Sequence, residues 1–139
     1  MQRTTVHSFS VFCVVALLEL TASNGQDAAD SAPRFDPVAT QIEGWTVHVE
    51  PAPLTGEHKE EGALALKMLA NHLQRISILM PPKHLAKLRE VEFWVEHAHP
   101  ELKGKHYHPG KDWLTDRGYD GRLAKKIHIT HAAELFSRQ

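Results

Sequence analysis

Cysteine is almost missing from this chain: the single one among 139 residues, Cys13, lies close to the start. Its scarcity excludes disulfides, thiolate zinc sites, iron–sulfur clusters and a cysteine nucleophile in the folded part. A surplus of positive charge is missing as well, since 16 Lys and Arg stand against 17 Asp and Glu for a formal net charge of −1. Binding to a phosphate backbone needs a clear basic excess, so nucleic acid is not an expected partner. The eight glycines are scattered singly, which removes a phosphate-cradling loop. No G-x-S-x-G nucleophile elbow occurs. No histidine is followed by glutamate, so these residues contain no H-E-x-x-H zinc helix. What is abundant is histidine itself, with eleven residues. Imidazole is the commonest side-chain metal ligand and the group most easily charged near neutral pH.

The N-terminus has the three parts of a secretory signal peptide: a short cationic start at Met1 to Arg3, an apolar run from Phe9 to Leu18, and small residues around Ala22, Ser23 and Gly25. We read residues 1–25 as this leader, which implies an exported, periplasmic or extracellular protein. The apolar run is too short to span a bilayer, so no membrane association is expected after cleavage. Residues 26–41, rich in Asp, Ala, Ser and Pro without a hydrophobic period, read as a flexible mature N-terminus. Folding is expected to begin near Ile42, and residues 42–139 to form a single α+β domain, incomplete at its C-terminus.

Within that domain, Trp45, Val47 and Val49 alternate with Thr46, His48 and Glu50, the pattern of a half-buried strand stopped by Pro51 and Pro53. From about His58 to Met80, Leu64, Met68, Leu69, Leu73, Ile76 and Met80 recur at three- and four-residue spacing, which predicts one long amphipathic helix ending before Pro81. Pro82 opens a short helix to Arg89, with Leu85 and Leu88 inward. Val91, Phe93 and Val95 alternate with Glu92, Trp94 and Glu96 as a second strand. His97 to Gly110 holds two prolines, two glycines and four histidines without a period and reads as a long surface loop. Lys111 to Arg117 predicts a short helix with Trp113 and Leu114 inward, ended by Gly118 in left-handed geometry. Ile127 and Ile129 mark a third strand, after which Thr130 is placed to cap a last helix. The expected architecture is a small sheet of about three strands packed against one long helix, with short helices around it.

Two histidine sets are candidates for chemistry. His97, His99, His106 and His108 form two His-x-His pairs; in extended geometry each pair projects to one side and is able to share a metal ion, with Glu96, Glu101 or a distant histidine completing the set. The plain alternative is a solvated histidine-rich loop, and Lys103 and Lys105 would repel a cation there. His128, His131 and Glu134 follow at three-residue spacing, which places them on one side only if they share a helix. The β-branched Ile127, Ile129 and Thr130 suit a strand instead and divide the set.

The ordered segments Ile42-Glu43-Gly44-Trp45-Thr46-Val47-His48-Val49, then Tyr107-His108-Pro109 with Trp113-Leu114 and Gly118-Tyr119, then Ala124-Lys125 leading to Ile129-Thr130, resemble the N-terminal half of a family of secreted bacterial zinc metallopeptidases with a zincin-like fold. The resemblance runs from about Ile42 to Phe136. It implies a zincin-like N-terminal subdomain, which in the family is followed by a helix carrying H-E-x-x-H, two zinc ligands and a general base. None of those residues has a counterpart in these 139. The resemblance therefore implies a truncated or non-catalytic relative, leaning away from an enzyme, with zinc in the family and no cofactor expected in this chain. It also implies that apolar area meant for the zinc helix is left open, so that self-association or a missing C-terminal partner is expected. The rival reading is a small extracytoplasmic metal-binding module built on the His97–His108 loop.

Overall fold

A computed structural model describes residues 33–137; residues 1–25, expected to be a leader, lie outside the described residues, as do 26–32 and 138–139. The fold is α+β: one mixed sheet of five strands, one long helix and several short helical segments. Strands β1 (Val38–Ile42) and β2 (Trp45–Val49) form an antiparallel hairpin. Their two-residue turn, Glu43 and Gly44, has both φ angles positive, at 51° and 87°. That handedness matches the twist of the strands it joins and is why glycine stands at 44. β1 begins four residues before Ile42, so the N-terminal boundary expected from sequence is corrected here. Its side chains are largely exposed, and without a buried face it left little hydrophobic signal.

Two turns of 3-10 helix at Ala52–Leu54 and Gly56–His58 lead into α1 (Lys59–Leu79), which ends where expected, before Pro81, with Met80 in extended geometry. α2 (Pro82–Leu88) follows. Together they make the long crossover that a parallel pair requires, and β3 (Glu92–Val95) lies parallel to β2. The chain then forms β4 (Lys105–Tyr107), α3 (Lys111–Thr115) and β5 (Lys126–Ile129). β5 inserts beside β3 in parallel, and β4 pairs with it antiparallel at the edge, giving the order β1-β2-β3-β5-β4. The sheet thus has five strands where about three were expected. β4 lies inside the segment read as a surface loop: three residues, His among them, are too few to show a period, and pairing with β5 is what makes them a strand.

The core lies between α1 and the sheet. Trp45, Val47, Val49, Phe93, Val95 and Ile129 meet Ala65, Leu69 and Leu73. The helix buries a stripe displaced from the expected one: Leu64 and Ile76 are 44% and 37% exposed, while Gly62 and Ala65 are inside. The shift follows from close packing of the first turns, since a Cβ on Gly62 would run into the Pro53 carbonyl. Small residues at 62 and 65 let the helix come down there, and hydrophobicity alone did not mark them. Trp45 also donates from Nε1 to the Leu88 carbonyl at 3.0 Å, tying α2 to the sheet.

A second, smaller core on the opposite face gathers Trp94, Leu114 and Leu123 around Phe35, Tyr119 and Ala124. Leu114 is buried as expected, whereas Trp113 is 43% exposed, with the Arg117 guanidinium 4.3 Å over its ring. Gly118 has a φ of 73°, as its helix-ending role predicts. The final segment is a 3-10 turn, Ala132–Leu135, preceded by His131 and not capped by Thr130. The Thr130 hydroxyl is committed elsewhere, donating to the Gly104 carbonyl at 2.9 Å. Among the described residues no helix is long and apolar enough to cross a membrane.

Candidate functional site

The register of the sheet aligns His48, Trp94, His128 and His106 in one row across β2, β3, β5 and β4, on the face opposite α1. Alternation dictates this, because the partners of these residues' neighbours are the buried Val and Ile of the other face. Glu96, just past β3, turns its carboxylate back into the row.

Glu96 is 2% exposed and fully engaged. Its Oε1 accepts from Trp94 Nε1 at 3.1 Å and from His128 Nε2 at 3.0 Å, and its Oε2 accepts from Arg34 Nη1 at 2.8 Å. Burial pushes the carboxyl up, but the His128 hydrogen bond and the charges of His128 and Arg34 outweigh it and hold Glu96 below the usual range. A carboxylate only accepts, so His128 Nε2 is the donor in that bond, and its Nδ1 faces His108 Nε2 at 3.3 Å. His108 is driven down to about 4, first by burial and then by the charges of His128, His106 and His99. Burial lowers His99 as well; its ring lies 5.6 Å from that of His128, centre to centre, and its Nδ1 accepts from the backbone N–H groups of Glu101 and Leu102.

Beside this network is a cavity of about 150 Å³, walled by Arg34, Trp94, Glu96, His99, Tyr119 and Asp120 among others. Arg122 fixes two of the lining residues, holding Asp120 through paired contacts at 2.7 to 3.1 Å and donating to the Phe35 carbonyl. The Asp120 carboxyl is raised by burial and lowered by more through its hydrogen bonds from Arg122.

A carboxylate–imidazole–imidazole chain is able to fix a proton's position, and among the described residues no hydroxyl is hydrogen-bonded to His108 or His128. The network's evident effect is mechanical, joining β3, β5, the end of β4 and the N-terminal Arg34 through satisfied buried polar groups.

The four histidines expected to cooperate are thus separated. His106 and His108 do project to one side, their rings stacked 6.0 Å apart, but His106 Nε2 is bound to the Lys103 carbonyl and His108 to His128. His99 joins the buried network from its far side. His97 lies elsewhere, stacked on His58 with ring centres 3.8 Å apart. The set His128, His131 and Glu134 is divided as its β-branched residues implied: His128 sits on β5, while His131 and Glu134 pair with each other at 3.7 Å beyond it.

Glu96, a candidate to complete the histidine metal set, instead accepts hydrogen bonds from Trp94, His128 and Arg34. Arg34 lies in the segment expected to be flexible and His58 at the entrance to a helix, so neither carries a sequence signal of its role. Compared with protein-family models, curated proteins and solved structures, this chain matches none.

Proposed function

We propose that this chain is an exported, metallopeptidase-like framework without a catalytic zinc site of its own, whose working surface is the open part of its helix-bearing face. The family zinc would need the H-E-x-x-H pair, and no residues here take that place. What supports the reading is the ratio of sheet to helix. Five strands at about 4.8 Å spacing span roughly 20 Å, whereas one helix with its side chains covers about 10 Å. α1 occupies the middle and leaves Val38 on one edge and Tyr107 on the other 47% and 56% exposed.

Between α1, α2 and the sheet runs an apolar groove of about 110 Å³, lined by Trp45, Leu73, Ile76, Leu88, Phe93 and Ile127 among others. With the uncovered sheet edges as background, this groove is the observation that carries the proposal. Its chemistry fits the apolar stripe of one more helix, the element that the resemblance leads one to expect on this face, supplied by a partner or by a second copy. Dye fluorescence and light scattering on the purified chain test it. The chain is expected to bind a hydrophobic dye or to self-associate, and Ile76→Glu, at a partly exposed position, to suppress both while leaving the far-ultraviolet spectrum unchanged. A dye-silent, monodisperse monomer with a cooperative melt at high temperature would overturn the open-groove reading. Chelator-sensitive proteolysis would overturn its non-catalytic part.

A further inference from the structure

We infer that His58, Glu61 and His97 form a binding site for a divalent transition-metal ion of the zinc class, apart from the buried histidine network and from the apolar groove. The three residues come from two places: His58 and Glu61 lie three apart at the entrance to α1, so they share a side, and His97 follows β3. One ligand atom from each falls within 4.8 Å of the other two. Ligands bound tetrahedrally to zinc at about 2.0–2.1 Å lie roughly 3.4 Å from one another, so side-chain rotation closes the remainder. Two imidazoles and a carboxylate, with a fourth position for water, are a donor set that zinc accepts.

The site is also built. The His97 backbone is held on both sides, its N–H donating to Glu50 Oε2 at 2.7 Å and its carbonyl accepting from Ala132 N at 3.2 Å. The first turns of α1 are set by the contact of Gly62 with Pro53. Against this order, His97 Nδ1 is buried and has no hydrogen-bond partner among the described residues. Buried ring nitrogens are nearly always satisfied, so an orphan in a ring stacked on another potential ligand marks a place where something binds. Local charge favours a cation: Glu57 lies 3.4 Å from His58 Nε2, and Glu50 sits behind His97. Glu57 is 87% exposed, so its hold on His58 gives way readily to a metal. The His97–His108 loop, by contrast, carries Lys103 and Lys105.

Competition titration of the full chain against a chromophoric zinc chelator tests the assignment, with His58→Ala, Glu61→Gln and His106→Ala as variants. All three positions are partly exposed, and a circular dichroism spectrum for each verifies that it is folded. One equivalent of Zn²⁺ is expected to bind wild type and His106→Ala alike, and the first two variants to bind at least about tenfold more weakly, the usual size of a lost ligand or its support. Cobalt in place of zinc should give visible absorption bands in wild type that Glu61→Gln weakens or abolishes. No zinc binding by wild type, equal affinity in wild type, His58→Ala and Glu61→Gln, or loss of binding in His106→Ala, overturns the site. Zinc binding with proteolysis that disappears in His58→Ala would keep the site and overturn the non-catalytic framework instead.

Discussion

The two faces of the sheet are held by different physics. On the α1 side, Val47, Val49, Leu73 and Ile129 are buried among hydrocarbon, and their contribution follows from area removed from water. On the other side, Glu96, His99, His108, His128 and Thr130 are equally buried, and what makes that tolerable is that each has partners. The first kind of contact is forgiving and insensitive to pH. The second is all-or-none, because removing one member leaves the other buried polar groups without their partners.

Glu96→Ala should break the comparison most strongly. It leaves the His128 ring and the Trp94 N–H without their acceptor and Arg34 without its partner, and is expected to cost about 4 kcal/mol of unfolding free energy. Leu73→Ala on the opposite face opens a cavity and is expected to cost about 3 kcal/mol. Urea melts at several pH values separate the two, since the loss from Leu73→Ala should be the same at each.

Acid sharpens the distinction. His108 titrates near 4 when folded against 6.5 ordinarily. As pH falls through 6.5 the unfolded chain takes up this proton and the folded one does not, so stability is present above that pH and drains away down to about 4, by on the order of 3 kcal/mol. His99 is shifted in the same direction and adds to the loss. The contribution of Glu96, whose folded value is lowered, disappears only below its ordinary 4.5. His108→Gln should flatten the slope between pH 6.5 and 4, which denaturant midpoints across that range would reveal. An unchanged slope would show that His108 is not the group responsible.

The smallest effect concerns the hairpin that borders both faces. Gly44→Ala forces a Cβ into left-handed geometry and against the Arg89 guanidinium, a mobile group that is able to move aside. About 1 kcal/mol is expected, measured by thermal melting, with no change in the pH slope.

Where one kind of contact dominates, the sequence was readable. The alternation of Trp45, Val47 and Val49 and the long period of α1 are written in hydrophobicity because hydrophobic burial is what holds them. The hairpin partner β1 is not marked in the sequence although Glu43-Gly44 stands at its turn, because an exposed edge strand carries no stripe. The polar face is hard to read for the converse reason. Histidines in a proline- and glycine-rich segment look solvated, and only the antiparallel pairing of β4 with β5 places His106 opposite His128 and brings His108 within reach of its ring.

By itself, then, the order of residues determined the long helix, its stop at Pro81 and the β2, β3 and β5 strands. These depend on neighbours a few positions apart. The sorting of the histidines was decided only in three dimensions. His97 goes to His58 and Glu61, His99 and His108 go to His128 and Glu96, and His106 remains at the rim, because an imidazole's role depends on which donors and acceptors surround it, and those come from strands and turns distant in the chain.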